Sequence, residues 1–369
     1  MAILNVDIEL PCRLDRYLKK LYPSLTQGMV ERALRFKQIM VNSCKVAANL
    51  RINAGDQIFI EDSLNLEPQK ASDRVFSSSV VILAGKLMKD YLVYQDEWLI
   101  AINKPVGLAT QGGSKISLSI DDALQYLNSQ GTDFKLVHRL DKDTSGILLI
   151  AKNYASSIKL MKGFKEKNIQ KTYIAVVLGN LPQHEGEISG MIGKNRGGVY
   201  ETVQNDEEHG KLAVTRYKVL KNLNIANPTN ITPNSQTSLR EATLVATKQS
   251  RKVIRNGLLR RLMSPRNDAS LLWLNANRVS CNGLTNKDLT LVEFTPLTGR
   301  MHQLRFHAKM LGCPIIGDTK YGTQEAIALS KEMLLHAKRI ILPEKIFGKE
   351  IIINIDLPGY FYPHLFISA

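Results

Sequence analysis

Apolar positions near the start of the chain recur at helical spacing. In "RLDRYLKKLY", Leu14, Tyr17, Leu18 and Leu21 fall at i, i+3, i+4 and i+7, which predicts an amphipathic helix ended by Pro23. Thr26 is placed to cap a second helix, with Met29, Val30, Ala33 and Leu34 on one face. The period then shortens. "IMVN", "KVAA" and, after Ala54-Gly55-Asp56, "QIFIE" predict short strands. Residues 62–90 are mixed and polar, with "SDRVFSSS" in the middle, and read as a linker. From Tyr91, "YLVYQDEWLIAINKPVG" predicts two strands around an Asp96-Glu97 turn. "SLSIDDALQYL" predicts a helix capped by Ser119, with Asp121 and Asp122 in its first turn and Ile120, Leu124 and Leu127 buried. "ILLIA" and "KTYIAVVLG" read as strands on either side of a basic helix that starts near Asn153. "TRYKVL" and "LTLVEF" are two more strands, separated by residues 221–288. Residues 301–311 scan as a helix stopped by Gly312, with Met301, Leu304, Ala308 and Leu311 as its apolar stripe.

Charge changes this picture more than composition does. The 369 residues are 44% hydrophobic and 22% charged, ordinary for a globular chain of one large and one smaller domain. Yet 49 Lys and Arg stand against 34 Asp and Glu, a net charge of +15, which favours a polyanionic partner. Residues 221–288 carry eleven Lys or Arg and three Asp or Glu, more than half of that excess. Their "NLNIANPTNITPNSQTS" and "KQSRKVIRNGLLRRLMSPR" read as an insertion, either a disordered surface segment or an arm that contacts the polyanionic partner. Cys12, Cys44, Cys281 and Cys313 include no Cys-x-x-Cys pair, which disfavours zinc and fits reduced thiols in a cytosol. Asp7 and Glu9 interrupt any signal-peptide core, and no apolar run approaches the ~18 residues of a membrane span. A soluble, cytoplasmic protein is expected.

Three classes of chemistry fail on spacing. His302 and His307 stand about 140° apart around a helix and share no face, and no carboxylate lies between them; metal binding by these residues or His336 is disfavoured. "GLATQGGS" lacks the ending a phosphate loop needs, and no serine lies in a Gly-x-Ser-x-Gly elbow. Arg305 is more informative. It falls about 40° from Met301, at the edge of the apolar stripe, where an arginine calls for a carboxylate partner. Arg300, His302 and Lys309 point to the open side. In "HRLDKDTSG", Asp141 follows Leu140 just before a buried-type strand and is the candidate acid for Arg305, while Asp143 reads as a turn-former bonding nearby backbone.

Taken in order, "INKPVGLAT", "VHRLDKDTSGILLIAK", "KTYIAVVLG", "TGRMHQLRFHAKMLGCPIIGD" and "LLHAKRI" are similar to the motifs of the RluA-type pseudouridine synthases, in their large-subunit ribosomal branch. The resemblance covers roughly residues 10–220 and 289–365; the 221–288 segment has no counterpart in the pattern. The two basic helices and small sheet of residues 12–61 resemble an alpha-L RNA-binding domain, also found in a small-subunit ribosomal protein, although Ser43 stands where that motif usually has glycine.

The resemblance implies an α+β fold. A mixed, mainly antiparallel sheet with helices and loops around a central cleft would occupy residues 91–369, after the alpha-L domain and the 62–90 linker. It implies an isomerase that turns uridine into pseudouridine, most naturally in large-subunit (23S) ribosomal RNA, with transfer RNA as the alternative substrate. A non-catalytic RNA-binding or ribosome-assembly protein is the rival class. Asp141 matches the catalytic aspartate, Tyr173 the tyrosine that packs on the base and handles a proton, and Arg305 the arginine that ion-pairs with that aspartate. His138, Arg139 and Thr144 would shape the catalytic loop, His138 by a hydrogen bond to backbone. Arg13, Arg16, Arg32, Arg35, Lys37, Arg139 and Arg300 would contact RNA. The isomerisation is redox-neutral and spends no phosphate, so neither cofactor nor metal is implied. A monomer is expected.

Overall fold

The structure, a computed structural model, describes residues 2–8, 11–22, 24–66, 76–113, 116–195, 202–224 and 288–365. The chain divides into two units: Met1–Val81 with Ser129–Gly131, and Ile82–Asn128 with Thr132–Ala369.

The first unit holds β1 (Ala2–Asn5), β2 (Cys12–Arg13), α1 (Leu14–Leu21), α2 (Gln27–Arg35), β3 (Ile39–Val41), β4 (Arg51–Ile52) and β5 (Gln57–Ile60). β5 pairs antiparallel with β1 on one side and β3 on the other, and β2 pairs with β4. Leu14 and Leu18 of α1 and Val30, Ala33 and Leu34 of α2 share one core with Ile39, Ile52 and Ile58, as the helical spacing predicts. Thr26 caps α2 by accepting the Met29 N–H at 3.3 Å, but Met29 itself is exposed. "KVAA" is not a strand; the second short ladder uses Arg51 and Ile52 instead. Asn42 and Ser43 both take positive φ, at 49° and 62°, and Val41 and Cys44 exchange backbone hydrogen bonds across them. This is the reversed turn that suits a hairpin, with serine in a place where glycine costs less.

The second unit begins within α3 (Ser78–Lys89). That helix replaces part of the expected 62–90 linker. Leu83, Ala84 and Leu87 repeat at helical spacing and are buried in the main core; the serines before them mask the signal. There follow β6 (Leu92–Gln95), β7 (Leu99–Lys104), α4 (Ile120–Ser129), β8 (Lys135–Leu136), β9 (Ser145–Ala151), α5 (Tyr154–Lys165), β10 (Gln170–Leu178), β11 (Glu185–Lys194), β12 (Val203–Asn205) and β13 (Lys211–Asn224). The chain resumes with β14 (Asp288–Pro296), α6 (Gln303–Met310), α7 (Gln324–Ala328), β15 (Leu335–Leu342), α8 (Glu344–Phe347), β16 (Ile351–Asn354) and α9 (Tyr362–Leu365). Ser119 and Asp122 form a reciprocal cap on α4, and Asn153 caps α5 through the Ser156 N–H.

One sheet runs β12-β11-β13-β14-β10-β15-β9-β7-β6, with β16 added on β15 and β8 on β9. Among the described residues its pairings are antiparallel except β9 with β15. The fold is thus mixed α+β and mainly antiparallel. β13 and β14 pair as far as Asn224 opposite Asp288, so the basic insertion leaves and re-enters at the end of a hairpin. Residues 225–287, most of the expected insertion, lie outside the described residues.

β9 fixes the middle of this sheet, and all seven of its residues are buried. It meets β15 through the pairs Ser145–His336 and Gly146–Ala337. Gly146 has φ +110°, and a Cβ there would overlap the backbone N, C and O of Ala337. Gly146→Ala is therefore expected to cost about 3 kcal/mol or more, because backbone atoms cannot yield as side chains do. Denaturant unfolding of the purified variant measures this; an unchanged midpoint would contradict the packing.

Candidate active site

The loop from Val137 to Thr144 joins β8 to β9 and carries Asp141. It is clamped along its length. Thr110 Oγ1 donates to the Leu140 carbonyl at 2.7 Å and accepts the Leu140 N–H at 3.2 Å. His138 Nε2 accepts the Leu149 N–H at 2.8 Å, the backbone bond expected of it. At the far end, Ser145 Oγ lies 2.8 Å from His336 Nδ1 and 2.6 Å from the Tyr360 hydroxyl.

The central clamp is Lys104, which is fully buried. Its Nζ donates to the carbonyls of Pro105, Leu108 and Lys142 at 2.8 to 3.0 Å. Burial pushes its pKa down to about 7, while Asp143 and Asp141 pull it upward. Three carbonyl acceptors call for three N–H donors, so the ammonium form is the one that completes the clamp. Nothing in the sequence singles out Lys104, because its work is done on backbone, for which "INKPVG" carries no side-chain pattern.

Asp141 sits on this loop with a partly open carboxylate. Its backbone carbonyl accepts the Thr144 N–H at 3.1 Å. Among the described residues no hydrogen bond reaches its side chain; His302 Nε2 stands 3.9 Å from Oδ2. The turn falls at Lys142 and Asp143 as expected, but backbone closes it, and among the described residues the Asp143 carboxylate bonds no backbone group.

Tyr173 lies on β10, opposite Phe294 of β14 and Ala337 of β15, beside a register shift. Its ring belongs to the core that surrounds the site. Burial, then the nearby charge of Asp141, raise the phenol's pKa well above its ordinary value. The hydroxyl stays protonated at neutral pH, which suits an aromatic wall and O–H donor better than a proton acceptor.

Arg305 corrects the expected pairing. It lies on α6 and is almost wholly buried, as its stripe position requires. Its fork is taken by Asp318, with Nε to Oδ2 at 2.8 Å and Nη2 to Oδ1 at 2.5 Å. Asp318 also accepts the N–H groups of Lys320 and Tyr321. Asp141 is thus not the direct partner; it acts on Arg305 only through its charge, a weaker influence than Asp318. Helix projection identifies the face that needs an acid. It cannot choose between two acids on separate loops.

A second correction concerns His302. The helix begins at Gln303, not 301, and His302 precedes it with φ 52°. That left-handed step turns the imidazole inward, so His302 is buried rather than open. Arg300 does face outward, its Nε bonded to the Leu212 carbonyl at 3.1 Å. Arg139 is exposed in the loop beside Asp141. In the first unit Arg16, Arg32, Arg35 and Lys37 are exposed, whereas Arg13 is engaged by the Asp15 carboxylate through Nε at 3.0 Å and Nη2 at 2.6 Å.

A family model described as RNA pseudouridylate synthase matches residues 98–310, more than half of the chain and the span that carries Asp141, Tyr173 and Arg305. The chain belongs to the RNA pseudouridylate synthase family. The ribosomal large subunit pseudouridine synthase C of Rickettsia felis is 48% identical over 359 residues, which cover 97% of each chain. That of Escherichia coli is 26% identical over 313 residues, covering 85% of this chain and 77% of the other. The human RNA pseudouridylate synthase domain containing 4 shares the fold, with a TM-score of 0.51 at 22% identity over 78% of this chain and 96% of that one. As a pseudouridine synthase, the protein is an isomerase of uridine in RNA. The reaction breaks the bond from ribose C1′ to uracil N1 and makes one from C1′ to C5. The C5 proton is released and N1 gains one, so atoms and electrons balance without a cofactor.

Proposed function

We propose that the chain makes pseudouridine in large-subunit ribosomal RNA, with Asp141 as the group that acts on the ribose. The observation that carries this reading is the state of the Asp141 carboxylate. It is partly open and accepts no hydrogen bond among the described residues, on a loop clamped by Thr110, Lys104 and Ser145. A carboxylate kept rigid but unsatisfied is available to a substrate that enters beside it. Attack at C1′ and base-assisted elimination both need that availability. Tyr173 would stack on the detached uracil while it turns. Arg305, through Asp318, would hold the wall of the pocket. The target base must first leave its stack, and Arg139, exposed in the loop beside Asp141, would meet the RNA there.

The substrate assignment rests on the relatives, which are named ribosomal large subunit pseudouridine synthases. We read the first unit as the alpha-L domain, binding RNA backbone through Arg16, Arg32, Arg35 and Lys37, in a monomeric, cytoplasmic enzyme. No described helix is long and apolar enough to cross a membrane. Mapping pseudouridines in ribosomal and transfer RNA from cells with and without the protein tests the substrate. Loss of sites in large-subunit RNA is expected; loss confined to transfer RNA would overturn the assignment.

Replacing Arg16, Arg32 and Arg35 together with Glu is expected to weaken binding to all RNA sequences alike. The slope of log affinity against log salt should shrink by about one for each phosphate that is no longer neutralised. An unchanged slope in a filter-binding titration would remove these residues from the interface.

A further inference from the structure

Behind Asp141 runs a hydrogen-bond chain that has no part in these roles. The Val203 N–H donates to the Tyr321 hydroxyl oxygen at 2.8 Å, and that hydroxyl lies 2.9 Å from His302 Nδ1. The oxygen accepts the Val203 N–H and keeps its own proton to donate, and we assign that proton to Nδ1. The ring proton of a neutral imidazole is then left on Nε2, the atom that faces Asp141 Oδ2 across 3.9 Å. Tyr321 is itself held in place. Its ring lies 5.3 Å from the Arg305 guanidinium and meets Phe306 edge-on.

The groups facing His302 agree with a neutral ring. Burial lowers its pKa to about 4, Arg305 and Lys320 push the same way, and Asp141 and Asp318 oppose them. At neutral pH the imidazole therefore offers Asp141 a dipolar N–H and not a full charge. A full charge so close would hold the carboxylate in a tight ion pair and blunt it.

We propose that His302 is a positioning residue for pseudouridine formation, with Tyr321 fixing its Nε2–H toward Oδ2 so that Asp141 presents its other oxygen to the ribose. This rests on the reading of Asp141 as the acting carboxylate. The gap of 3.9 Å exceeds a hydrogen bond by about 1 Å, a distance that a small side-chain rotation of Asp141 removes.

Two substitutions separate positioning from structure. The amide nitrogen of glutamine reaches the place of Nε2, whereas asparagine ends at the place of Nδ1. The backbone at His302 is left-handed, which asparagine tolerates better than glutamine. A purely structural role therefore predicts that His302→Asn is the better protein, and a positioning role predicts the reverse.

The test compares kcat and KM of the full chain on unmodified large-subunit ribosomal RNA. His302→Gln should keep kcat within about threefold of wild type, and His302→Asn should lose about 10- to 100-fold, with KM unchanged in both. Asparagine equal to or faster than glutamine would overturn the role. A long-range nitrogen–proton spectrum of histidine-labelled wild type supplies a second readout. The Nε2–H tautomer of His302 is expected at neutral pH, and it should lose its preference in Tyr321→Phe; an Nδ1–H tautomer or an imidazolium would overturn the proposal. Asp141→Ala in the same kinetic assay separates the two readings. Normal turnover by that variant would remove the role of Asp141, and that of His302 with it. An inactive Asp141→Ala beside equal glutamine and asparagine variants would refute His302 alone.

Discussion

Asp141→Asn should lower pseudouridine formation by about 10⁴-fold or more while RNA affinity stays within about twofold of wild type. The amide keeps the size of the side chain and removes its charge, and with it the ability to attack C1′ or take a proton from the sugar. No described hydrogen bond holds this carboxylate, and Lys104 and Arg305 keep their own hydrogen-bond partners without it. Phosphate contacts dominate RNA affinity, and an anionic carboxylate supplies none of them. Thermal stability should change little, because the desolvation of the carboxylate and its attraction to Lys104 and Arg305 act in opposite directions. Single-turnover rates with filter-binding measurements on the same preparation test both halves. A variant that turns over at the wild-type rate ends the account. One that fails to bind RNA shows that the residue anchors substrate instead.

The second large effect is on stability. Arg305 and Asp318 form a two-pronged pair, both almost wholly buried. Removing either partner leaves the other charge stranded, at a cost of about 3–5 kcal/mol. Arg305→Lys offers a point charge where a planar fork is required, and it should lose most of that amount. Arg305→Met and Asp318→Leu should each unfold at lower denaturant, while the double variant recovers much of the loss, since no unpaired charge remains. Equal and additive losses would refute the pairing. The contrast with Asp141 is diagnostic: were Asp141 the true partner of Arg305, Asp141→Asn would share the destabilisation.

How far the sequence carries depends on the range of the interaction. Local devices are legible. Thr26, Ser119 and Asn153 cap the helices they precede, and the Asp96 carboxylate accepts the N–H groups of Trp98 and Leu99 at the turn between β6 and β7. Each needs only residues within a few positions of one another. The continuous apolar run of β9 likewise announces a strand buried on both faces.

Longer-range facts are legible only in part. The stripe on residues 301–311 requires an acid for Arg305, and one is there. Which acid depends on the path of the chain between Gly312 and Asp318, which no periodicity encodes. His302 is misplaced for a related reason. Projecting a regular helix through residue 302 sends its side chain outward, and a single left-handed residue before the true start sends it inward. α3 is hidden behind its serines. "KVAA" shows the converse error, since a short stretch of small apolar residues has no strand to pair with.

The most direct test of the central claim uses RNA labelled with tritium at C5 of uridine. Forming the C1′–C5 bond must expel that hydrogen, so each pseudouridine made releases one tritium to water. Purified full-length protein with unmodified large-subunit ribosomal RNA should release tritium to a fixed stoichiometry, without added cofactor, and Asp141→Ala should release none above background. No release by the wild-type protein, or equal release by Asp141→Ala, would contradict the account.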